Sequence, residues 1–297
     1  MKVATHSGSF HADDVFAVAA LGLAVGPLEL VRTREPTAWA ACDIRVDVGS
    51  RHDPSTGDFD HHQPAGAGAR ANGIRLASFG LVWRHFGEGV CGDGQVAAQI
   101  DAKLVQVIDA NDNGQTVVES LVEGLAPLSL GSVIAAFNPV WDAPQGPEDY
   151  LRLFTEAVQL ATQILRREIE MTAAQERAAH LVAQAVSQAS DPRLILLDAG
   201  LPWRAHVVTQ APEALYVVYP KDSGWGLQAV PRKLDSFANR RDLPQEWAGQ
   251  EGAELARITG VADALFCHNA RFMAAAATRD GILALADLAL AGAPGRG

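Results

Sequence analysis

Residues 1–25 read MKVATHSGSFHADDVFAVAALGLAV, and this stretch decides the fold. Residues 2–5 form a short strand, a polar loop with two histidines follows, and residues 13–25 are an almost unbroken apolar run of helical length. Strand, polar loop and helix in that order open an α/β domain. Working outward, strands are expected at 29–33 and 44–48 and helices at 77–86 and 95–108, which predicts a mostly parallel sheet. Open sheets of that kind place their chemistry where strands end and loops begin.

Residues 147–190 carry no glycine or proline from Glu148 to Ser190, and Phe154, Val158, Ala161, Leu165 and Ile169 recur at spacings of three and four. One or two long amphipathic helices are predicted there, acting as a connector. A second, smaller α/β domain begins after Asp191-Pro192 with strands at 193–197, 214–219 and 226–230, a turn at 220–224, a strand at 264–267 and a helix at 280–290. The expected organisation is therefore a catalytic domain over 1–146, a helical connector over 147–190 and a substrate domain over 191–297. Only 291–297 reads as a disordered tail.

Composition narrows the function. The chain of 297 residues is 48% hydrophobic and 20% charged, the proportions of a soluble globular protein. Its net charge of -11 argues against a protein that coats nucleic acid by general attraction, although bound divalent cations would reverse the local sign. The cysteines Cys42, Cys91 and Cys267 are odd in number and far apart, which fits a reducing cytoplasm and excludes a Cys-x-x-Cys site. The N-terminus lacks the pattern of a signal peptide, and no stretch approaches the roughly 18 apolar residues of a membrane span. A cytoplasmic protein with no membrane partner is expected; the oligomeric state is not derivable from the sequence.

Five of the nine histidines lie in the first 62 residues, together with Asp13, Asp14, Asp43, Asp47, Asp53, Asp58 and Asp60. Imidazole nitrogen with carboxylate oxygen suits manganese, zinc, iron or cobalt, where a pure oxygen set would suit magnesium or calcium. His11 and Asp13 can bind one ion from a single loop, with His6 turning inward from the strand end. A helix cap accounts for Asp13 or Asp14 singly, but not for the whole segment. Asp47 follows an apolar strand, where an unpaired carboxylate is costly to bury without a cation. In Asp60-His61-His62, adjacent histidines of an extended segment point to opposite faces, so one can bind metal while the other faces substrate, and Asp60 can orient an imidazole. The helix ending at 107–114 offers Asp109 and Asp112. An ordinary helix end accounts for one of them; Asp109, directly after the apolar run, is taken as the ligand.

The ordered set of His11-x-Asp13, Asp47, Asp60-His61-His62 and Asp109 resembles the DHH superfamily of phosphoesterases. Within it, THSGSFHADD, VDVG, FDHHQ, ASFGLVWRHFG and IDANDNG look like the MYG family of metal-dependent hydrolases, and GLQAVP, Leu243-Pro244, 247–249 and FCHNARF extend the likeness over nearly the whole chain. The resemblance implies a DHH-like two-domain fold and a two-metal hydrolase, with Mn2+ the expected ion and Mg2+, Co2+ or Zn2+ as alternatives. Carried over by motif, His11, Asp13, Asp47, His61 and Asp109 are metal ligands, Asp47 is the bridge, His6 is a further candidate, and His62 lies nearest the scissile phosphate with Asp60 behind it. Arg271 and His268, with Arg240, would grip a distal phosphate from the second domain. Trp225, Trp247 and Phe272 could stack on bases, though core packing competes for each. The implied activity is a 3'-5' exonuclease on single-stranded RNA, with a pyrophosphatase or small-nucleotide phosphodiesterase, or a non-catalytic metal-binding regulatory protein, as the alternatives. One departure bears on substrate: after Phe272 stands Met273-Ala274-Ala275-Ala276-Ala277 where many relatives are glycine-rich, and alanine admits a phosphate less closely than glycine does.

Overall fold

The structure, a computed structural model, describes residues 1–125 and 127–292. Of the tail read at 291–297, Ala291 closes the last helix and residues 293–297 lie outside the described residues. The protein is mixed α/β, and the described residues form two five-stranded sheets. Its compact units are Met1–Ala173 and Ala174–Gly297.

In the first unit, β1 (Lys2–Thr5), β2 (Glu29–Arg32), β3 (Ile44–Val46), β4 (His52–Asp53) and β5 (Asp58–Phe59) lie in the order β2-β1-β3-β5-β4. The pairs β1/β2, β1/β3 and β3/β5 are parallel, and only β4/β5 is antiparallel. Three neighbouring parallel strands thus release the chain at one edge, and the residue that follows each is His6, Asp47 and Asp60 in turn. That edge is where an open sheet collects its ligand.

Helix α1 (Ala12–Val25) is buried over its first ten residues, which are apolar apart from Asp13 and Asp14, and it packs on α3 (Ser78–Cys91) through contacts such as Phe16 on Phe79, 5.5 Å between ring centres. Each such fully buried phenyl ring stabilises the fold by roughly 1.5–3 kcal/mol. The short α2 (Pro36–Ala40) follows β2. Helices α4 (Gly94–Ile100) and α5 (Gln106–Asp112) form one nearly continuous rod interrupted by a π-helical turn, Asp101–Val105, an irregularity that often marks a functional site. The short α6 (Leu130–Ala135) follows α5.

The segment read as a connector is one helix, α7 (Pro147–Gln188). Its Phe154, Ala157, Ala161 and Leu165 enter the core of the first unit, and Val182 enters a core cluster of the second. The second unit holds β6 (Leu194–Leu196), α8 (Arg204–Gln210), β7 (Tyr216–Lys221), β8 (Gly224–Ala229), α9 (Gly252–Thr259), β9 (Ala264–Cys267), β10 (Met273–Ala276) and α10 (Arg279–Ala291). Strand order is β6-β7-β8-β10-β9, parallel only between β6 and β7. The alanine run that departs from the glycine-rich pattern is thus an inner strand. Alanine has low strand propensity, so the sequence carries no strand signal there; the small side chains are buried beneath α10, which packs Ile282, Leu285 and Ala286 into the same core. Among the described residues no helix is long and apolar enough to cross a membrane.

Candidate metal centre

The carboxylates of the acidic N-terminal cluster divide into two groups. Asp43 accepts from the Lys2 backbone N–H at 2.7 Å, Asp53 caps the turn at Ser55, and Asp58 pairs with buried Arg45, so these three hold the loops together. The others converge at the sheet edge.

Asp14, the third residue of α1, accepts from the backbone N–H of His11 at 2.9 Å, the reciprocal half of a helix cap. This leaves Asp13 without a structural task. Its side chain is fully buried, and neither carboxylate oxygen has a hydrogen-bond partner. A buried carboxylate so placed requires a proton or a cation. Burial first, and then the carboxylates of Asp47, Asp112 and Asp14, push the Asp13 carboxyl well above its ordinary range, the signature of a place where positive charge is missing.

Asp47 sits just past β3 with φ 56°, a left-handed conformation that a non-glycine residue adopts only where its surroundings impose it. The backbone is held by its N–H to Phe59 O at 3.1 Å. The side chain reaches four partners: Oδ1 accepts from Ser78 Oγ at 3.0 Å and lies 3.3 Å from both His61 Nε2 and His62 Nδ1, while Oδ2 lies 3.3 Å from His6 Nε2. Burial alone would raise this carboxyl, yet the imidazoles of His6, His61 and His62 outweigh it and hold Asp47 well below the carboxylate range.

The two adjacent histidines do not point to opposite faces. Asp60 accepts from the His62 backbone N–H at 3.0 Å and from its Nδ1 at 2.8 Å, bending the chain so that the rings of His61 and His62 lie 4.3 Å apart and share Asp47. The Ser50 N–H fixes the other Asp60 oxygen at 2.6 Å. The His61 side chain is 9% exposed, whereas the His62 side chain is 59% exposed to the cleft. Hydrogen bonding to Asp47 raises His62 to about 9; for His61, burial is outweighed by Asp112 and Asp47, which lift it to about 10. Burial is likewise outweighed at His6, raised by Asp47 and Asp14.

Among the described residues, two groups of side chains are spaced to hold a metal ion: Asp47, His61 and His62, and His11, Asp13 and Asp112. His61 Nε2 joins them, 3.3 Å from Asp47 Oδ1 and 3.1 Å from Asp112 Oδ2. Mixed imidazole and carboxylate donors around an orphaned buried carboxylate fit a borderline transition-metal ion.

Of the two aspartates of α5, Asp112 reaches this assembly and Asp109 is engaged elsewhere. Asp109 is fully buried; its Oδ1 accepts from the Gly80 N–H at 2.9 Å and its Oδ2 from Arg70 Nη1 at 2.7 Å. Arg70 also clasps Asp101 through Nε and Nη2, at 3.1 and 2.6 Å. Asp109 is the ligand expected from the sequence; the geometry brings Asp112 to the assembly instead, because a position after an apolar run lies deep in the core while the last residue of the helix stands at its open end. Sequence reading also passed over Ser78, Arg70 and Arg34; Arg34 Nη2 lies 3.2 Å from His6 Nδ1. The cleft over the centre has a volume of about 1230 Å3, and Arg34, Arg75 and the glycine-rich loop at 63–69 line it.

In the second unit, Arg240 and Arg271 line a separate cleft of about 800 Å3. Arg240 donates to the carbonyls of Val208, Ala211 and Ala214 at 2.6–2.9 Å, closing the C-terminal end of α8. Arg271 has φ 56° and pairs with Asp242 at 3.0 Å. His268 Nδ1 accepts from the Ala270 N–H at 3.0 Å, and its ring lies 4.4 Å from that of Phe272. Trp247 is buried in the core, and Trp225 packs against it.

Comparison with known proteins places this site in a family. The model of the MYG1_exonuc family, described as an uncharacterised protein family (UPF0160), matches residues 2–290. The chain belongs to the MYG1 exonuclease family. A MYG1 protein of Schizosaccharomyces pombe is 31% identical over 319 residues, covering 98% of this chain and 97% of its own length. The MYG1 exonucleases of Bos taurus and Homo sapiens are 31% and 30% identical, over 99% and 98% of this chain and 85% and 86% of theirs. Family members named as exonucleases support a nuclease-type function here.

Proposed function

We propose that this protein is a divalent-metal-dependent phosphodiesterase of the DHH type that removes nucleotides from the 3' end of single-stranded RNA. The observation that carries the metal is Asp13, a fully buried carboxylate with both oxygens unpartnered amid imidazoles and further carboxylates. The exonuclease names of the bovine and human relatives support the substrate class.

In this reading His11, Asp13 and Asp112 would hold metal at one group and Asp47 with His61 at the other, with His6, 3.3 Å from Asp47, as a further donor and the exposed His62 left to face the substrate. Manganese is the ion that this donor set and the family resemblance favour. When bound, the two ions supply Lewis acidity to the phosphate and to an attacking water. The chain does the rest. Ser78 fixes Asp47 Oδ1, and Asp60 fixes His62 at Nδ1, aiming its Nε2–H at the cleft. His62 then hydrogen-bonds a phosphate oxygen or gives its proton to the leaving oxygen, the role of an exposed imidazolium held by carboxylates. Arg34 and Arg75 line the same cleft and offset phosphate charge in an acidic protein.

The test is manganese-dependent cleavage of end-labelled single-stranded RNA beside pyrophosphate and a dinucleotide, with His61→Ala as the control. Stepwise shortening by the wild type alone is expected. Turnover of only the small substrates would remove the RNA assignment and keep the metal centre; no turnover of any of them would favour a metal-binding regulatory protein.

A further inference from the structure

In the second unit the chain between β8 and α9 makes a hairpin that the nuclease chemistry leaves unused. Its ends are joined by a bridge between Pro231 and Asn239. Inside it the Arg232 N–H donates to Ala238 O at 2.9 Å, the Ser236 N–H to Lys233 O at 3.2 Å, and the Ala238 N–H to Ser236 Oγ at 3.0 Å. From outside, Arg204 Nη2 donates to Ser236 O at 3.0 Å. The loop is thus braced by hydrogen bonds, yet at its tip Phe237 has a relative exposure of 101%. A phenyl ring held fully in water by an ordered hairpin has no part in folding.

The charge around this ring is opposite to that of the chain. Residues 231–241 hold Arg232, Lys233, Arg240 and Arg241 against the single carboxylate of Asp235, in a protein of net charge -11. Arg240 is engaged in closing α8, which leaves Arg232, Lys233 and Arg241 around the hairpin. Arg232 and Asn239, at its base, line the 800 Å3 cleft together with Arg241 and Arg271; Asp242, paired with Arg271 at 3.0 Å, and Glu246 lie on the same lining, so arginines outnumber carboxylates there. An aromatic face beside an arginine-lined groove is the arrangement that binds single-stranded nucleic acid, with bases stacking on the ring and the backbone tracking the cations. A folded protein partner or a lipid surface would call for more apolar area than one ring and the half-exposed Leu234.

We propose that Phe237 is a base-stacking platform for single-stranded nucleic acid, with Arg232 and Lys233 contacting the adjoining phosphates. This rests on the nuclease reading above and assigns part of the substrate's grip to the second unit.

The test measures fluorescence anisotropy of a labelled single-stranded RNA of about ten nucleotides, a length within one binding module's reach, on the full chain. Phe237→Ala weakens binding roughly ten-fold without changing the salt slope, as loss of one stacked base requires. Phe237→Trp restores affinity and Phe237→Leu does not, which separates stacking from apolar contact. Replacing Arg232 and Lys233 together by alanine lowers the salt slope by about 1.4, the value for two phosphate contacts on a single strand. Because Phe237 is bare, the variants keep the wild-type melting temperature. Affinity of Phe237→Ala within two-fold of wild type, or of Phe237→Leu equal to it, overturns the proposal. So does a Phe237-dependent association with anionic phosphatidylserine vesicles or with a second copy of the chain in place of RNA. Manganese-dependent turnover of bis(p-nitrophenyl) phosphate by the wild type is scored separately. Turnover without RNA binding removes the platform and leaves the metal centre; RNA binding with that Phe237 dependence and no turnover removes the nuclease reading and leaves the platform.

Discussion

Replacing Arg70 by methionine tests how the scaffold behind the metal centre is held. The substitution keeps most of the apolar stem and removes the cation paired with Asp109, whose carboxylate is fully buried and left with backbone N–H donors such as that of Gly80. Breaking a buried pair from one side costs about 3–5 kcal/mol; the lower end applies here because the Arg70 guanidinium lies at the edge of the core, also bound to the partly exposed Asp101. With a urea slope of about 2 kcal/mol/M, a loss near 3 kcal/mol lowers the midpoint of the first unit by roughly 1.5 M. The measurement is urea unfolding at pH 7.5 with EDTA present, so that metal binding does not contribute. Burial, partly offset by Arg70, already raises the Asp109 carboxyl to about 6. A carboxyl raised above its unfolded value costs stability as pH rises, so the folded state loses stability between about pH 4 and 6 in the wild type. Without Arg70 the folded value rises further, the protonated form persists to higher pH, and the variant's deficit shrinks as pH falls toward 5. Asp109→Asn in the same chain, which keeps an acceptor for Gly80, recovers most of the loss. A deficit below about 1 kcal/mol, or one independent of pH with no recovery in the double variant, would refute the argument that an uncompensated buried charge is the cause.

Further outcomes follow from the same geometry. Gly80→Ala would gain about 1 kcal/mol by helix propensity, but its Cβ would overlap the Asp109 carboxylate, so a lower melting temperature is expected; a higher one refutes the assigned contact. Saturating manganese raises the melting temperature by a shift worth about 2.7 kcal/mol at a hundred times Kd, EDTA reverses it, and His61→Ala reduces it. Ser78→Ala weakens manganese binding by roughly 10- to 100-fold in titration calorimetry, because Asp47 loses the hydroxyl that orients it. His62→Ala keeps the manganese-induced thermal shift while turnover falls roughly 100- to 10,000-fold; loss of both together would make His62 a ligand rather than a proton donor.

Much of the site was legible because its residues lie at strand ends that the sequence marks by composition. His6 and Asp47 stand at the ends of strands expected from the sequence, whereas Asp60 follows the two-residue strand Asp58–Phe59, too short and too polar to be read, and only the parallel order β1-β3-β5 brings it beside them. His61 and His62 were visible as a pair, but their convergence was not, since it depends on Asp60 bending the chain through the His62 N–H. The second sheet was less legible. The inner strand β10 is a run of methionine and alanine, and small residues reveal a strand only through what packs over them.

The sequence by itself determined which chemistry is available: imidazoles and carboxylates concentrated in the first 62 residues, and a strand-loop-helix opening that brings them to one edge. Only the tertiary structure decided between residues of like type. Asp13 and Asp14 are neighbours, yet one caps α1 and the other is left bare; Asp109 and Asp112 are one helical turn apart, yet one meets Arg70 and the other His61. Local sequence sets what a side chain can do, while its partner is set by elements distant in the chain, and a carboxylate's role follows from which cation or donor it meets once buried.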